Sequence, residues 1–366
     1  LMLKQRGVRF EFFHAVDELV PSHGDGPSRI EELGMAIQVE LAQGVSEYSP
    51  TKDYAGLADW PAHPRYEQLD PAQAKALLDG NVDLESPWSG WESRHRTLRR
   101  GVDFDDLILG VPVREAERIG HLLVAESERW QGLSKVRTTA TFGVQIWVSR
   151  DLEQLGMHLP DWGMEEGDEP NSVIYADLLY SFTDMTRILL REAWPVDSKP
   201  KQLSYFCGTW PTAGFPPSSD HGYPAREREK LVATTEQWLA DNMGWFWPKG
   251  ANPECPTGLD LSLLVPTAGE PAGAARLAQQ WFGANIEPSS HCTLGWPGRD
   301  RYRMAAADSG YENLYLCGDW TDFGLNIGHM EGAVTSGQKA AQALLSALGQ
   351  KDLRPIFNDT GLESGG

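Results

Sequence analysis

The sequence has too few basic residues to suit a partner rich in phosphate. Its 366 residues include 52 acidic and 32 basic side chains, which leaves a formal net charge of −20 at pH 7. A surplus of negative charge repels phosphate backbones and anionic lipid headgroups. We therefore expect no nucleic-acid partner and no attachment to an anionic membrane surface.

Patterned cysteines and long apolar runs are also missing. Cys207, Cys255, Cys292 and Cys317 form no Cys-x-x-Cys or Cys/His spacing, so neither a metal site nor a disulfide framework is indicated. No apolar run approaches the roughly 18 residues that a transmembrane helix requires, and the first residues do not resemble a secretory leader. These absences predict a cytoplasmic protein with no transmembrane segment.

The front of the chain carries β-strand signals. A hydrophobic content of 41% over this length suits a globular chain of about two domains. Val8, Phe10 and Phe12 alternate with charged residues, which predicts a strand, and residues 34–42 predict a second one. A stretch rich in proline, tryptophan and charge follows, and we interpret it as an insertion at about 45–97.

The middle of the chain contains patterns typical of both strands and helices. A short apolar run at 103–113, closed by a proline, predicts a buried strand, and alternation predicts further strands at 136–152 and 201–210. Helical spacing predicts helices at 114–130 and 225–243. The pattern indicates an α+β region with antiparallel strands.

Residues 315–345 combine an apolar strand, a Gly-Asp turn and a helix studded with small residues. Two adjacent rows of small side chains on that helix would let a large, flat group approach the backbone closely. The rows are Gly332, Ser336 and Ala340, and beside them Ala333, Gly337 and Ala341.

This region resembles the flavin-containing amine oxidase and phytoene desaturase superfamily of FAD-dependent oxidoreductases. The resemblance rests on Gly318-Asp319-Trp320-Thr321 after a buried strand and on Met330-Glu331-Gly332-Ala333-Val334 at the start of a helix. Pro297-Gly298, Tyr302-Arg303 and Asp308-Ser309-Gly310 support it. The pattern around them is similar to the desaturase-like branch.

The resemblance implies an α/β fold: an incomplete Rossmann-like FAD-binding domain together with a mixed α+β substrate domain. Residues 1–113 would form the first part of the FAD-binding domain, a β-meander interrupted by the insertion. Residues 114–299 would form the substrate-binding domain, 300–350 the C-terminal part of the FAD-binding domain, and 351–366 a tail.

FAD is the cofactor that the resemblance implies. The backbone of Val16 would meet the adenine, and Asp319 would accept a hydrogen bond from a ribityl hydroxyl. The amides at the start of the last helix would face the electron-rich edge of the flavin ring. An alternative is a Gly-Asp turn that caps an ordinary packing helix. The predicted cofactor-binding residues are Val16, Gly318, Asp319, Gly328, Met330, Glu331, Gly332 and Ala333.

One part of the superfamily pattern is absent. Its first strand carries a G-x-G-x-x-G loop that holds the pyrophosphate at a helix N-terminus, and this sequence contains no such motif. Residues 24–29, GDGPSR, begin with the right glycines but end in Arg29 and follow no buried strand, so they indicate a turn. We therefore expect the N-terminal βαβ unit to be absent, and a partner chain or a missing N-terminal segment to supply the loop.

Candidates for substrate contact are fewer. His329 directly precedes the helix, where amine oxidases often carry an aromatic residue, so we predict that it faces substrate; the alternative is a helix cap. Amine oxidases tend to place a lysine near flavin N5, and the matching run at 144–152 has Trp147 and Val148 there. The arginines at 299, 301 and 303 would bind an acidic substrate group or form a solvated face.

The sequence thus predicts an FAD-dependent oxidoreductase of the desaturase or dehydrogenase type. It would move a hydride from a C–H bond of an apolar small-molecule substrate to flavin N5. One alternative is a flavin amine or amino-acid oxidase. Another alternative, from a different class, is a non-catalytic escort-type binding protein on the same fold. The residues at the flavin edge argue against this alternative.

Overall fold

The computed structural model describes residues 2–350, apart from residues 25, 55, 166, 167 and 175, and the predicted tail at 351–366 lies outside the described residues. In chain order the strands are β1 (His14–Pro21), β2 (Ile30–Ile37), β3 (Lys52–Tyr54), β4 (Leu57–Asp59), β5 (Arg94–Arg99), β6 (Leu107–Leu109), β7 (Thr138–Val148), β8 (Asn171–Val173), β9 (Ser181–Asp184), β10 (Gln202–Trp210), β11 (Ala251–Asn252), β12 (Cys255–Leu259), β13 (Trp281–Asn285), β14 (Cys292–Thr293) and β15 (Leu314–Leu316).

Helices connect and cover these strands. They are α1 (Met2–Gln5), α2 (Pro71–Gly80), α3 (Val113–Ile119), α4 (His121–Glu126), α5 (Glu128–Gln131), α6 (Leu152–Leu155), α7 (Tyr223–Phe246), α8 (Ala274–Leu277) and α9 (Met330–Ala347). Within the described residues, no helix is both long enough and apolar enough to cross a membrane.

A six-stranded sheet forms the larger core. Its order is β13-β7-β10-β9-β8, with β14 paired to β7, and its described pairings are antiparallel. Alternate residues of β7, from Ala140 to Val148, are at most 1% exposed and face the core, as the period of two requires. Helix α7 covers that face with Leu231, Leu239 and Met243. The strand predictions at 136–152 and 201–210 and the helix prediction at 225–243 are confirmed.

A second, three-stranded sheet has the order β1-β2-β5. The strand prediction at residues 8–12 is wrong, because these residues form no strand and Val8 and Phe10 are 43% and 40% exposed. The predicted second strand at 34–42 instead runs from Ile30 to Ile37. Residues 38–93 are inserted between β2 and β5 and contribute a small core of their own. The insertion predicted at about 45–97 therefore extends too far and includes the first residues of β5.

A two-stranded parallel pair, β6 and β15, lies between these regions. Both strands were predicted from their apolar runs. Helix α9 packs on β15 through Ala340, which is fully buried beside Tyr315. The whole is a mixed α/β structure with several sheets, as predicted; the Rossmann-like arrangement of the cofactor domain stays a prediction.

The predicted single helix at 114–130 is three short helices, α3, α4 and α5. Gly120 separates α3 from α4 at the point where the indole of Trp130 packs. A Cβ at Gly120 would lie 2.8 Å from Cζ3 of Trp130 and 2.7 Å from the carbonyl oxygen of Ala116, so there is little room for a side chain. The helical periodicity predicted the buried face correctly, since Ala116, Ile119, Leu123 and Trp130 are buried together.

Candidate functional site

The site begins at the Gly318-Asp319 turn, directly after β15. Gly318 has a φ of 134°, a backbone conformation that residues with a side chain rarely adopt. Its N–H donates to Oγ of Ser336 in α9 at 3.1 Å, and its carbonyl accepts from Oγ1 of Thr321 at 2.9 Å. The Thr321 and Ser336 hydroxyls are 2.5 Å apart and both are buried. The turn is therefore fixed to the small-residue face of the helix.

The carboxylate of Asp319 is half-buried and partly satisfied. Its Oδ1 accepts from Oγ1 of Thr293 at 3.2 Å. Its Oδ2 lies opposite Gly328, where a Cβ would come within 2.9 Å of Oδ2 and 2.4 Å of the Thr293 carbonyl oxygen. Glycine at 328 thus lets two loops meet beside the carboxylate. Within the described chain no residue donates to Oδ2, so this oxygen is open to a ligand hydroxyl.

Arg303 is a member of the site whose position beside the Gly-Asp turn the sequence did not predict. Its side chain is buried, its Nη1 donates to the Asp319 carbonyl oxygen at 2.6 Å, and its Nε donates to Oδ1 of Asn326 at 3.2 Å. Burial lowers the pKa of Arg303, and the charges of Asp319 and Asp322 oppose that shift. Its Nη2 is buried, and no described residue accepts from it.

The sequence predicts the same two alternatives for Arg303 as for Arg299 and Arg301: binding of an acidic substrate group or a place on a solvated face. Arg301 is exposed and lies over the ring of Tyr302, 4.9 Å from its centroid, which is the solvated alternative. Arg303, by contrast, joins the Gly-Asp turn to the loop that leads into α9. Only its long-range partners reveal this role, so local charge patterning could not have found it.

His329 is the N-cap residue of α9. Its Nδ1 accepts from the Gly332 N–H at 2.6 Å, and its carbonyl accepts from the Ala333 N–H at 3.1 Å. Because Nδ1 is an acceptor, a neutral imidazole carries its proton on Nε2. In this structure the ring of His329 therefore acts as a helix cap, which was the alternative to a contact with substrate. The substrate contact stays a prediction, and Nε2 would be the atom that makes it.

The first turn of α9 consequently offers fewer amides than the sequence suggested. The N–H groups of Gly332 and Ala333 are used within the helix, whereas those of Met330 and Glu331 have no acceptor among the described residues. Gly332 also packs against the ring of Phe323, where a Cβ would lie 2.5 Å from Cζ. Two free N–H groups at a helix N-terminus still favour an electron-rich group.

This set of hydrogen-bond donors and one acceptor fits a flavin. It combines two free amides at a helix N-terminus, an open carboxylate oxygen on Asp319, and a buried guanidinium nitrogen of Arg303 without a partner.

A family model described as flavin containing amine oxidoreductase matches residues 276–345. The match covers about a fifth of the chain and includes Thr293, Arg303, Asp319 and α9 up to residue 345. It supports the superfamily, a flavin cofactor and a flavin-dependent oxidoreductase in general. A search of curated proteins found no match.

Val16 lies outside the matched segment, in β1, beside a cavity of about 830 Å³. Its carbonyl already accepts from Nη2 of Arg118 at 3.0 Å. The cavity reaches Val111, whose carbonyl accepts from the Trp320 indole at 2.8 Å and lies 3.7 Å from where a Cβ of Gly318 would be. The segment that follows β6 therefore lies near both the cavity beside Val16 and the Gly-Asp turn, and the predicted adenine contact stays a prediction.

Strand β7 approaches the site at its first residues. Thr138 and Thr139 pair with Thr293 and Cys292 of β14, and Thr293 bonds to Asp319. Burial and, after it, the charge of Asp319 raise the pKa of the Cys292 thiol.

Trp147 and Val148, which the sequence places where amine oxidases tend to have a lysine, lie at the other end of β7. Nine residues at about 3.3 Å each separate Thr139 from Val148, or roughly 30 Å. This distance does not fit an expected position of Trp147 and Val148 near flavin N5 if the ring lies at Asp319, and that position stays a prediction. No lysine occupies the near end either, since residues 138–142 read TTATF.

Within the described residues, no group of three or more His, Cys, Asp or Glu side chains is placed to hold a metal ion.

Proposed function

We propose that this chain belongs to an FAD-dependent oxidoreductase of the desaturase or dehydrogenase type. The observation that carries the proposal is the constellation of the Gly318-Asp319 turn, the buried Arg303 and the start of α9, together with the family match over the same residues. When bound, FAD would supply the chemistry by accepting a hydride from a substrate C–H bond.

The chain's own residues would bind and orient the cofactor. The Met330 and Glu331 amides would face the electron-rich edge of the ring, and Asp319 Oδ2 would accept from a ribityl hydroxyl. Arg303 holds the Asp319 carbonyl and Asn326 in place, so it keeps the turn and the loop before α9 in register. His329 fixes the first turn of the helix and directs Nε2 away from it.

The absence of lysine at the near end of β7 favours the desaturase or dehydrogenase type over an amine or amino-acid oxidase. Thr138, Thr139 and Thr141 supply hydroxyls there and no amine. An apolar substrate stays part of the proposal. Anaerobic bleaching of the bound flavin by an unsaturated hydrocarbon, with none by primary amines, would support this type; bleaching by amines alone would favour the oxidase.

We also propose that a glycine-rich phosphate loop comes from a segment outside this sequence. The outer edge of β6 supports this. Leu107 and Leu109 bond to the β15 side, so in a parallel pair the N–H and C=O of Ile108 point to the other side. No described residue pairs with them, and the Ile108 side chain is 49% exposed. An edge with unpaired N–H and C=O groups is a template for another strand, so this edge suits a further strand.

The second row of small residues on α9, formed by Ala333, Gly337 and Ala341, also lies on a face that the described residues leave open. Ala333 and Ala341 are exposed, and Gly337 has no atom within 4 Å of where its Cβ would be. We assign this row and the β6 edge to the same partner segment. Calorimetry of the 366-residue chain with FAD should show weak or no binding; a monomeric, folded chain with micromolar or tighter affinity would overturn the partner proposal.

Asp319 provides the sharpest test of the cofactor site. Asp319→Ala should weaken FAD retention by about 1–3 kcal/mol, the loss expected when a charged hydrogen-bond partner is removed. Asp322→Ala is the matched control, because Asp322 is exposed and its carboxylate accepts only from the nearby Gly324 N–H. The measurement is the FAD dissociation constant of the protein isolated with its phosphate loop. Equal affinities for the two variants would place Asp319 in a purely structural turn.

A further inference from the structure

The far end of β7 carries a small cavity that the proposed oxidoreductase chemistry does not use. It has a volume of about 280 Å³, and its walls include Trp147, Trp194, Pro195 and Pro266 around Glu192. It lies roughly 30 Å along β7 from the residues that approach Asp319. Whatever occupies it therefore does not touch the proposed flavin site.

Two indoles converge on one carboxylate in this cavity. Nε1 of Trp147 donates to Oε2 of Glu192 at 2.8 Å, and Nε1 of Trp194 donates to the same oxygen at 2.5 Å. The two ring centroids are 5.8 Å apart, and the ring planes are inclined at 53°. Both indoles are therefore oriented by one carboxylate oxygen and pack against each other, which leaves their outer faces to line the cavity, and Oε1 of Glu192 has no donor within the described chain.

A site of this composition selects for a cation. The faces of tryptophan rings attract positive charge more strongly than those of other aromatic residues, and the carboxylate adds a full negative charge. The chain's net charge of −20 raises the local concentration of cations around it. An anion or a neutral polar ligand would gain from neither feature.

The walls further favour a methylated ammonium over a primary one. A primary ammonium is strongly hydrated through its three N–H donors. In exchange for that water the cavity offers the open carboxylate oxygen and the hydroxyls of the exposed Ser198 and Thr267, and the other side chains that line it are indole, proline and alanine. A donor that exchanges water for an apolar wall is costly. Methyl groups on the nitrogen remove those donors and contact the apolar walls.

We propose that Trp147, Trp194 and Glu192 form a binding site for a tertiary or quaternary methylammonium group. The site is independent of the flavin and of the proposed partner segment, so it stands or falls separately from the proposed function.

The test uses tetramethylammonium chloride as the probe and the full chain at constant ionic strength. The methyl protons of the probe give a single NMR resonance that broadens on binding. We expect saturable broadening with tetramethylammonium, weaker broadening with methylammonium, and none with tert-butanol, which has a similar shape and no charge.

Two variants and two controls assign the binding to this cavity. Trp194→Leu should weaken binding by roughly 5- to 30-fold, the range expected when an aromatic face is lost. Glu192→Gln keeps an acceptor for both indoles and removes the charge, and it should weaken binding at least to a similar extent. Trp245→Leu and Glu153→Gln, both exposed elsewhere, should bind as the parent does. Unchanged broadening in Glu192→Gln and Trp194→Leu, or equal broadening by tert-butanol, would overturn the proposal.

Discussion

Replacing Gly332 by alanine tests how tightly α9 is seated beside the Gly-Asp turn. A Cβ at this position would lie 2.5 Å from Cζ and 2.9 Å from Cε1 of Phe323, and 2.9 Å from Nδ1 of His329. Phe323 is only 7% exposed, so its ring has little room to withdraw. Overpacking of this kind typically costs about 1–3 kcal/mol.

Gly337 in the same helix is the matched control. Apart from its chain neighbours and the backbone of its own helix, no atom of the described residues lies within 4 Å of where its Cβ would be, so Gly337→Ala meets no obstacle among them. It should raise the free energy of unfolding by about 0.5–1 kcal/mol, because alanine loses less backbone entropy than glycine in a helix. Since both substitutions gain helix propensity, the difference between the two variants isolates the overpacking and should be about 1–3 kcal/mol.

The assay is equilibrium urea unfolding of both variants and the parent chain, followed by tryptophan fluorescence. We expect the transition midpoints to fall in the order Gly337→Ala, parent, Gly332→Ala. If Gly332→Ala is as stable as Gly337→Ala, the ring of Phe323 moves freely, and the reasoning from close approach at the helix start is wrong.

Further outcomes follow from the buried polar groups. Ser336→Ala removes the acceptor of the Gly318 N–H and should lower the free energy of unfolding by about 1–3 kcal/mol; an unchanged urea midpoint would show that the turn does not depend on this bond. Burial, assisted by the charge of Arg114, lowers the pKa of His291 below its ordinary value of 6.5. The unfolded chain then binds more protons at this residue, so stability should fall as pH drops below about 6.5 towards the folded-state pKa. His291→Gln should lose less stability over that interval than the parent does; identical stability profiles for the two proteins would contradict a lowered pKa at His291.

Several elements could be predicted from the sequence because their signals are local. Strand β7 has large apolar residues at alternate positions from Phe142 to Val148, and α9 follows a Gly-Asp turn after an apolar run. Strand β5, Arg94–Arg99, could not be predicted, since its side chains are mostly exposed and carry no apolar alternation. It is a strand because β2 pairs with it. Residues 8–12 show the reverse case, where alternation exists but no neighbouring strand pairs with them.

The candidate site divides in the same way. Gly318, Asp319 and the start of α9 were found from a short contiguous motif. Arg303 was not, because its role depends on the Asp319 carbonyl, 16 residues away, and on Asn326, 23 residues away. Contacts across loops of this length have no signature in local composition.

The central claim is that this chain holds a flavin between the Gly318-Asp319 turn and the start of α9. The most direct measurement is the absorption spectrum of the complete protein, isolated from its natural source, before and after acid precipitation. We predict flavin bands in the native protein that pass entirely into the supernatant on precipitation, because the cofactor is bound without a covalent link. A folded, complete protein without flavin bands would contradict the claim.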